Sequence, residues 1–274
     1  MNGINRGGFL ASIPPVTKNI LIINVAVYLL DLGLKSMRID ITEHLALYNF
    51  KSPYFNPYQI ITHMFMHGSL GHIFFNMFGV FMFGRVIETV IGSKKFFLLY
   101  MMSGIGAALL QLAITNFQLQ ALQNSVMTLS NAPTPEGCWA IMHKYNYILT
   151  DQATSIIQAW KENPNSLEYS NQAMQILNSL VIWLINNPMI GASGAVFGVL
   201  IAFGMLFPNV ELMLIFFPVP IKAKYLIPGY AVLELFLGVA QFKGDNIAHY
   251  AHLGGAIVGF FLVRYWKKNQ FPVY

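Results

Sequence analysis

The chemistry that this sequence could support centres on Ser193, which lies among small residues at the beginning of an apolar run. Serine becomes a strong nucleophile when a base removes its proton, and histidine is the usual base because its pKa lies near neutral pH. His249 and His252 are two candidate bases, spaced by three residues so that they share one helix face. A serine at this position can also be a helix cap and nothing more. Whether Ser193 is a nucleophile or a helix cap therefore depends on the elements that position it.

A second group of polar residues precedes Ser193 by more than a hundred positions. His72 and Asn76 are four residues apart and share one helix face, and His67 extends the same polar stripe. Imidazole and amide groups can donate hydrogen bonds to the negatively charged oxygen that develops when a nucleophile attacks a carbonyl. We expect His72 and Asn76 to form such an oxyanion hole if they lie beside Ser193.

The elements that carry these residues are predicted to be membrane-spanning helices. The chain of 274 residues is 55% hydrophobic and 10% charged, whereas soluble proteins are about 25% charged. Its net charge of +5 comes from scattered residues that follow the ends of apolar runs, which favours topology signals over nucleic-acid binding. We predict an all-α polytopic membrane protein, because helices satisfy their own backbone in lipid and each apolar run is about 17–25 residues long. The six runs are 18–36, 68–90, 95–115, 191–207, 225–242 and 247–266.

The distribution of lysine and arginine predicts that both termini are cytoplasmic. Ten of the 16 basic residues then lie on the inner side and six on the outer side. We expect an integral protein of a bacterial inner membrane. The inner group is Arg6, Lys18, Arg85, Lys94, Lys95, Lys222, Lys224, Arg264, Lys267 and Lys268, and the outer group is Lys35, Arg38, Lys51, Lys144, Lys161 and Lys243.

One long polar insertion, 116–187, interrupts the pattern of spans between the third and the fourth. By the predicted topology it is extracytoplasmic, and helical spacing of apolar residues predicts helices at 152–161 and 172–185. We expect the whole chain, 1–274, to form a single membrane domain that contains this insertion. Cys138 is the one cysteine, so an intramolecular disulfide and a Cys-x-x-Cys metal site are excluded, and we expect neither metal nor cofactor.

Glycine spacing predicts that the fourth and sixth spans cross closely. Gly194 and Gly198 are four residues apart, as are Gly255 and Gly259, and such small-residue faces let membrane helices approach. Close crossing would bring Ser193 within hydrogen-bond reach of His252.

A Ser–His dyad is expected, because neither of these two spans contains an acidic residue that could serve as a third member. Asp245 is expected to lie too near the membrane surface to be that third member. Glu234 in the fifth span is expected to face a polar partner for structural reasons, and Glu88 in the second span to pair with Arg85 or another basic group.

Three motifs together resemble those of the rhomboid intramembrane serine proteases. They are Gly191-Ala-Ser193-Gly194, Ala251-His252-Leu-Gly-Gly255-x3-Gly259 and His67-x4-His72-x3-Asn76, and the resemblance covers about 60–115 and 188–266. It implies a six-helix rhomboid bundle in which Ser193 is the nucleophile and His252 the general base. It also implies an oxyanion hole formed by His72, Asn76 and the Ser193 backbone N–H. The implied substrates are transmembrane proteins in the lipid bilayer, cut near the outer membrane face.

The resemblance also implies supporting roles for other residues, and the sequence differs from the family pattern at two places. Phe197 stands where relatives often carry a tyrosine that stacks on the catalytic histidine, and His249 is expected to orient water or to be structural. The fifth span, with Phe236 and Leu237, is expected to act as a lateral gate. The first outer loop lacks the Trp-Arg pair of many relatives, and the insertion 116–187 is longer than their short connection.

Two other functions are compatible with the composition. A non-catalytic rhomboid-like protein would bind membrane clients, and a small transporter would use the polar stripe as a path. The presence of both Ser193 and His252 favours the protease, and the absence of an inverted repeat disfavours the transporter. No feature of the sequence predicts the oligomeric state.

Overall fold

The computed structural model describes residues 12–145, 151–214, 217–240 and 248–270, and most of them are helical. Arg6, Lys243 and Asp245, which entered the predictions above, lie outside the described residues. The helices are α1 (Pro15–Ser36), α2 (Thr42–Leu45), α3 (Gln59–Thr62), α4 (Leu70–Gly79), α5 (Arg85–Ile91), α6 (Ser93–Ser130), α7 (Pro135–Lys144), α8 (Asp151–Glu162), α9 (Leu167–Asn186), α10 (Ser193–Leu206), α11 (Ala223–Ala240) and α12 (His249–Gln270). A π-helical turn, Val80–Gly84, joins α4 to α5.

Four helical stretches of the described chain are long and apolar enough to cross a membrane. They are α1, the continuous stretch Leu70–Ile91, α6 and α11. The predicted count of six also includes α12, with 22 residues, and α10, with only 14, so that count remains a prediction. An α10 of this length is about 21 Å long. It can be shorter than the bilayer because its residues are mostly buried among other helices and do not face lipid.

The helix that contains the third predicted span is much longer than that span. Helix α6 continues from Ser93 to Ser130, whereas the predicted third span ends at 115. Its 38 residues correspond to about 57 Å, roughly twice the hydrocarbon thickness of a bilayer. The last part of α6, from residue 116 to Ser130, therefore lies in the predicted insertion.

The insertion has a hydrophobic core of its own. Residues from the end of α6 and from α7, α8 and α9 form one buried cluster that includes Leu122, Cys138, Trp160 and Leu177. Burial raises the pKa of the Cys138 thiol to about 11, so the thiol stays protonated at neutral pH. The two predicted helices correspond to α8 and α9. Helix α7 has no counterpart among the predicted helices; Thr134 caps its beginning and Pro135 is its first residue.

Glu88 anchors the beginning of α1 instead of pairing with Arg85 as predicted. Its carboxylate accepts hydrogen bonds from the backbone N–H of Val16 at 2.9 Å, from the N–H and hydroxyl of Thr17 at 2.7 Å each, and from Ser93 Oγ at 2.7 Å. The first N–H groups of a helix lack intrahelical partners, so a carboxylate is well placed there.

The connections near Ser193 are short and held by backbone pairing. Leu47 in the first loop exchanges backbone hydrogen bonds with Met189, and Ser52 Oγ donates to Asn186 Oδ1 at 2.8 Å. These contacts tie the end of the insertion to the first loop just before Ser193. Between α10 and α11, β1 (Glu211–Leu214) and β2 (Phe217–Lys222) pair as antiparallel strands.

Candidate active site

Helices α10 and α12 are in backbone contact along a glycine seam. A Cβ atom at Gly255 would overlap the carbonyl oxygen of Gly194, and one at Gly259 would lie 2.6 Å from the carbonyl oxygen of Gly198. A Cβ at Gly194 would lie 3.2 Å from the carbonyl oxygen of Ala251. Because a methyl group fits at none of these distances without a shift, the glycines set the separation of the two helices.

Ser193 is the first residue of α10 and does not cap the helix with its side chain. Ala192 occupies the N-cap position, and the first helical hydrogen bond runs from Val196 N–H to the Ala192 carbonyl at 3.0 Å. The Ser193 N–H precedes this ladder and is one of the open donors of a helix N-terminus. The Ser193 hydroxyl lies 2.8 Å from His252 Nε2, which is hydrogen-bond distance.

The imidazole of His252 is held on its face as well as at its edge. The ring of Phe197, one turn after Ser193, stacks on it with centroids 4.3 Å apart and planes 8° apart. Phe197 also contacts the ring of Tyr230 from α11, with centroids 5.0 Å apart. Stacking fixes the plane in which Nε2 meets the Ser193 hydroxyl.

Glu234 lies beside both histidines of α12, a placement that the sequence did not predict. Its Oε2 atom lies 2.8 Å from His252 Nδ1 and 2.6 Å from His249 Nδ1, and its side chain is 4% exposed. The expectation of a polar partner for Glu234 agrees with this placement. The expectation of a dyad of Ser193 and His252 stays a prediction, and a carboxylate from the fifth span lies next to His252 Nδ1. An acidic residue in an apolar span was the available signal, but the sequence does not say which helix it faces.

Glu234, His249 and His252 each offer one atom that could ligate a metal ion, and these atoms lie within 4.8 Å of one another. Two ligands of a tetrahedral zinc ion lie about 3.3 Å apart, since each lies about 2.0 Å from the metal. The oxygen-to-nitrogen distances of 2.6 and 2.8 Å are shorter and are those of charge-assisted hydrogen bonds. The cluster therefore fits shared protons better than a metal.

His72 and Asn76 lie on α4, which packs against α10. Gly191 has a φ of +124°, and a Cβ there would lie 2.7 Å from His72 Nε2. Glycine is required on both counts, since this φ is strained for other residues and a side chain would displace the imidazole. Asn76 is buried, and its Nδ2 has no hydrogen-bond partner among the described residues. A buried amide donor without a partner is costly, which makes it a candidate for binding a substrate oxygen.

His63 and His67 precede α4 in the chain and contact this group. The His67 ring packs edge-on against the His72 ring with centroids 5.0 Å apart, and it is 2% exposed. Burial lowers the pKa of His67 to about 4, with a smaller contribution from His72, and burial lowers the pKa of His63 to about 4. Both rings are therefore neutral at neutral pH. The His63 carbonyl accepts the Gly191 N–H at 2.9 Å and so supports the turn before Ser193.

A small cavity of about 10 Å³ adjoins Ser193. It is lined by His63, Gly191, Ser193, Gly194 and Ala248 among others. This volume is about that of the space one water molecule needs. The surroundings of the serine thus have room for a single water without a change in the helices.

Comparisons with known proteins agree with the motifs. The rhomboid domain model matches residues 54–122 and 166–268 and leaves 123–165, inside the predicted insertion, unmatched. The chain is 25% identical over 207 residues to Rhomboid protein 1, mitochondrial, of Saccharomyces cerevisiae, covering 73% of this chain and 39% of that protein. It is 26% identical over 228 residues to an uncharacterized mitochondrial rhomboid protein of Schizosaccharomyces pombe, covering 79% and 54%.

Two expectations are decided by these comparisons. The resemblance to rhomboids is confirmed. The chain spans about half the length or less of the curated relatives it matches, and both relatives are mitochondrial by name. The expectation of a bacterial inner membrane is therefore not supported. The expectation of membrane-spanning helices is supported.

Proposed function

Because the chain belongs to the rhomboid family, we propose that it is an intramembrane serine endopeptidase that cleaves transmembrane proteins near the outer membrane face. The observation that carries the proposal is the 2.8 Å contact between Ser193 Oγ and His252 Nε2, deep in a helical bundle. In this proposal the bundle has six spanning helices in one domain, 1–274, with both termini on the cytoplasmic side and the insertion 116–187 on the other.

The proposed reaction is acyl transfer to Ser193. His252 Nε2 takes the hydroxyl proton while Oγ attacks the carbonyl carbon of the scissile peptide bond, and the same nitrogen then gives the proton to the leaving amine. The product is an acyl-enzyme. A water molecule attacks the ester next, with His252 again as base, and its proton returns to Ser193 Oγ as the substrate acid leaves. The cavity beside Ser193 offers a place for that water.

The negative charge of each tetrahedral intermediate needs donors that are already in place. Asn76 Nδ2, the His72 imidazole and the Ser193 N–H supply them in this proposal. The unpaired amide of Asn76 and the open N–H at the beginning of α10 support these roles. Donors that need no rearrangement during the reaction contribute most to such stabilisation.

The test of the proposal is labelling by a fluorophosphonate, which phosphonylates activated serines. Full-length protein in lipid vesicles is expected to be labelled at Ser193, and the Ser193→Ala variant is expected to stay unlabelled. A non-catalytic rhomboid-like protein that only binds membrane clients would give no Ser193-dependent labelling and no cleavage of a transmembrane reporter. That pair of results would overturn the proposal.

Asn76→Ala is expected to lower kcat for reporter cleavage by about 10²- to 10³-fold with little change in KM, because the amide acts on the oxyanion and not on the bound substrate. The measurement is steady-state cleavage of a transmembrane reporter in vesicles. Asn24→Ala is the matched control, since Asn24 is a buried asparagine of α1 whose Nδ2 donates to the Ile20 carbonyl at 2.8 Å. Equal kcat values for the Asn76 and Asn24 variants would exclude Asn76 from the oxyanion hole.

A further inference from the structure

The strongest unassigned feature is the carboxylate of Glu234, which is carried by α11 and reaches two histidines of α12. One oxygen, Oε2, contacts both His249 Nδ1 and His252 Nδ1, at 2.6 and 2.8 Å. Two imidazole nitrogens thus converge on one buried acid.

We propose that Glu234 is a positioning residue that completes a Ser193–His252–Glu234 triad and shares its carboxylate with His249. This inference rests on the proposed function, since it assigns Glu234 a role in activating the same serine. It replaces the expectation of a serine and a histidine acting alone.

The geometry assigns the tautomer of His252. A carboxylate accepts hydrogen bonds, so His252 Nδ1 must carry a proton to donate to Glu234 Oε2. In the neutral ring the other nitrogen, Nε2, is then unprotonated and faces the Ser193 hydroxyl at 2.8 Å. This is the one tautomer of a neutral histidine that can accept the serine proton. With the opposite tautomer, Nε2–H would meet the hydroxyl and His252 could not act as a base.

The negative charge of Glu234 also favours the reaction itself. When His252 takes the serine proton it becomes an imidazolium, and a carboxylate 2.8 Å from its Nδ1 stabilises that charge in a site where water is scarce. Before the reaction the carboxylate accepts hydrogen bonds from His249 and His252. A buried acid with this set of partners can remain ionised, whereas an acid without partners in an apolar span is costly.

His249 has a defined part in this arrangement. It donates to the oxygen that also accepts from His252, and the two rings lie nearly perpendicular with centroids 6.3 Å apart. A second donor fixes the carboxylate between the helices. Tyr250 adds a further tie, because its hydroxyl donates to the Gly238 carbonyl of α11 at 2.9 Å. The acid that orients the base is therefore held by both helices.

The test measures how fast a fluorophosphonate labels Ser193 in the full-length protein in lipid vesicles, as a function of probe concentration. Glu234→Gln keeps the size of the side chain but removes the charge, and an amide that turns its nitrogen toward His252 also selects the wrong tautomer. We expect the maximal labelling rate to fall about 10²-fold or more, with the half-saturating probe concentration unchanged. Glu234→Asp keeps the charge and is expected to recover part of the rate.

Glu88→Gln is the matched control, because Glu88 is also a buried glutamate in a membrane helix and holds the beginning of α1. It is expected to label at the wild-type maximal rate per folded molecule, even if its thermal stability drops. Wild-type labelling of the Glu234→Gln variant, with Ser193→Ala unlabelled, would overturn this inference and leave the proposed function standing. Failure of the wild type itself to label at Ser193 would overturn the proposed function.

The tautomer can also be measured in the unaltered protein, which keeps the inference testable if Glu234→Gln does not fold. In protein labelled with ¹⁵N-histidine, His249 and His252 are each expected to show a downfield Nδ1–H proton of the kind that a hydrogen bond to a carboxylate produces. The two signals are assigned by their loss in His249→Gln and His252→Gln. A His252 protonated at Nε2 and not at Nδ1 would refute the proposed triad.

Discussion

Ser193→Ala and His252→Ala are each expected to lower kcat for cleavage of a transmembrane reporter by about 10⁴- to 10⁶-fold. The two residues act as one unit, because Ser193 Oγ is a weak nucleophile unless His252 Nε2 accepts its proton across 2.8 Å. The double variant is therefore expected to be no slower than either single variant. Such strong non-additivity is the kinetic signature of a nucleophile and its base.

The measurement is steady-state cleavage in lipid vesicles, with folding followed by thermal unfolding. Ser103→Ala is the matched control, since Ser103 is a fully buried serine of α6 whose Oγ has no hydrogen-bond partner among the described residues. It is expected to keep the wild-type kcat. Activity retained by both Ser193→Ala and His252→Ala would contradict the proposed mechanism, and additive losses would separate the two residues into independent roles.

Gly255→Ala is expected to lower kcat/KM by at least about 10²-fold, although the residue carries no functional group. Its Cβ would overlap the Gly194 carbonyl oxygen, which is backbone and cannot rotate away. Helix α12 must then move from α10, and the hydroxyl of Ser193 and Nε2 of His252 move apart with their helices. A displacement of about 1 Å is enough for a loss of this size.

Gly33→Ala is the control for this prediction. Gly33 lies in α1, and a Cβ there meets nothing within 4 Å. Alanine favours the helix by up to about 1 kcal/mol, so this variant is expected to keep its activity and to unfold at the same or a higher temperature. Wild-type kcat/KM in Gly255→Ala would mean that the glycine seam does not set the distance between serine and base.

The sequence predicted those parts of the site in which the spacing of residues along a helix is enough to assign them to one face. Residues four apart on a helix share a face, so the stripe of His72 and Asn76 and the glycines of α10 and α12 could be assigned to faces without a structure. Composition and run length similarly predicted spanning helices, four of which meet the length and hydropathy expected of a span. The three motifs were enough to indicate the rhomboid family, which the family model confirms.

Helix ends were less predictable, because hydrophobicity marks where a chain can lie in lipid and not where a helix stops. Helix α6 continues to Ser130 through polar residues, since the insertion supplies it with a second apolar core. Helix α10 begins only at Ser193, since Gly191 at a φ of +124° is not helical. Both ends are set by tertiary packing.

The sequence by itself determined that this is a rhomboid-family membrane protein with Ser193 and His252 on helices able to approach closely. The tertiary structure alone decided which groups face these helices from their neighbours. A helical period assigns Glu234 and Glu88 each to a face of its own helix, but the helix packed against that face depends on the arrangement of the whole bundle. That arrangement places Glu234 against His252 and Glu88 against the beginning of α1. Two acids that look alike in the sequence thereby acquire different roles, one beside the proposed base and one in the scaffold.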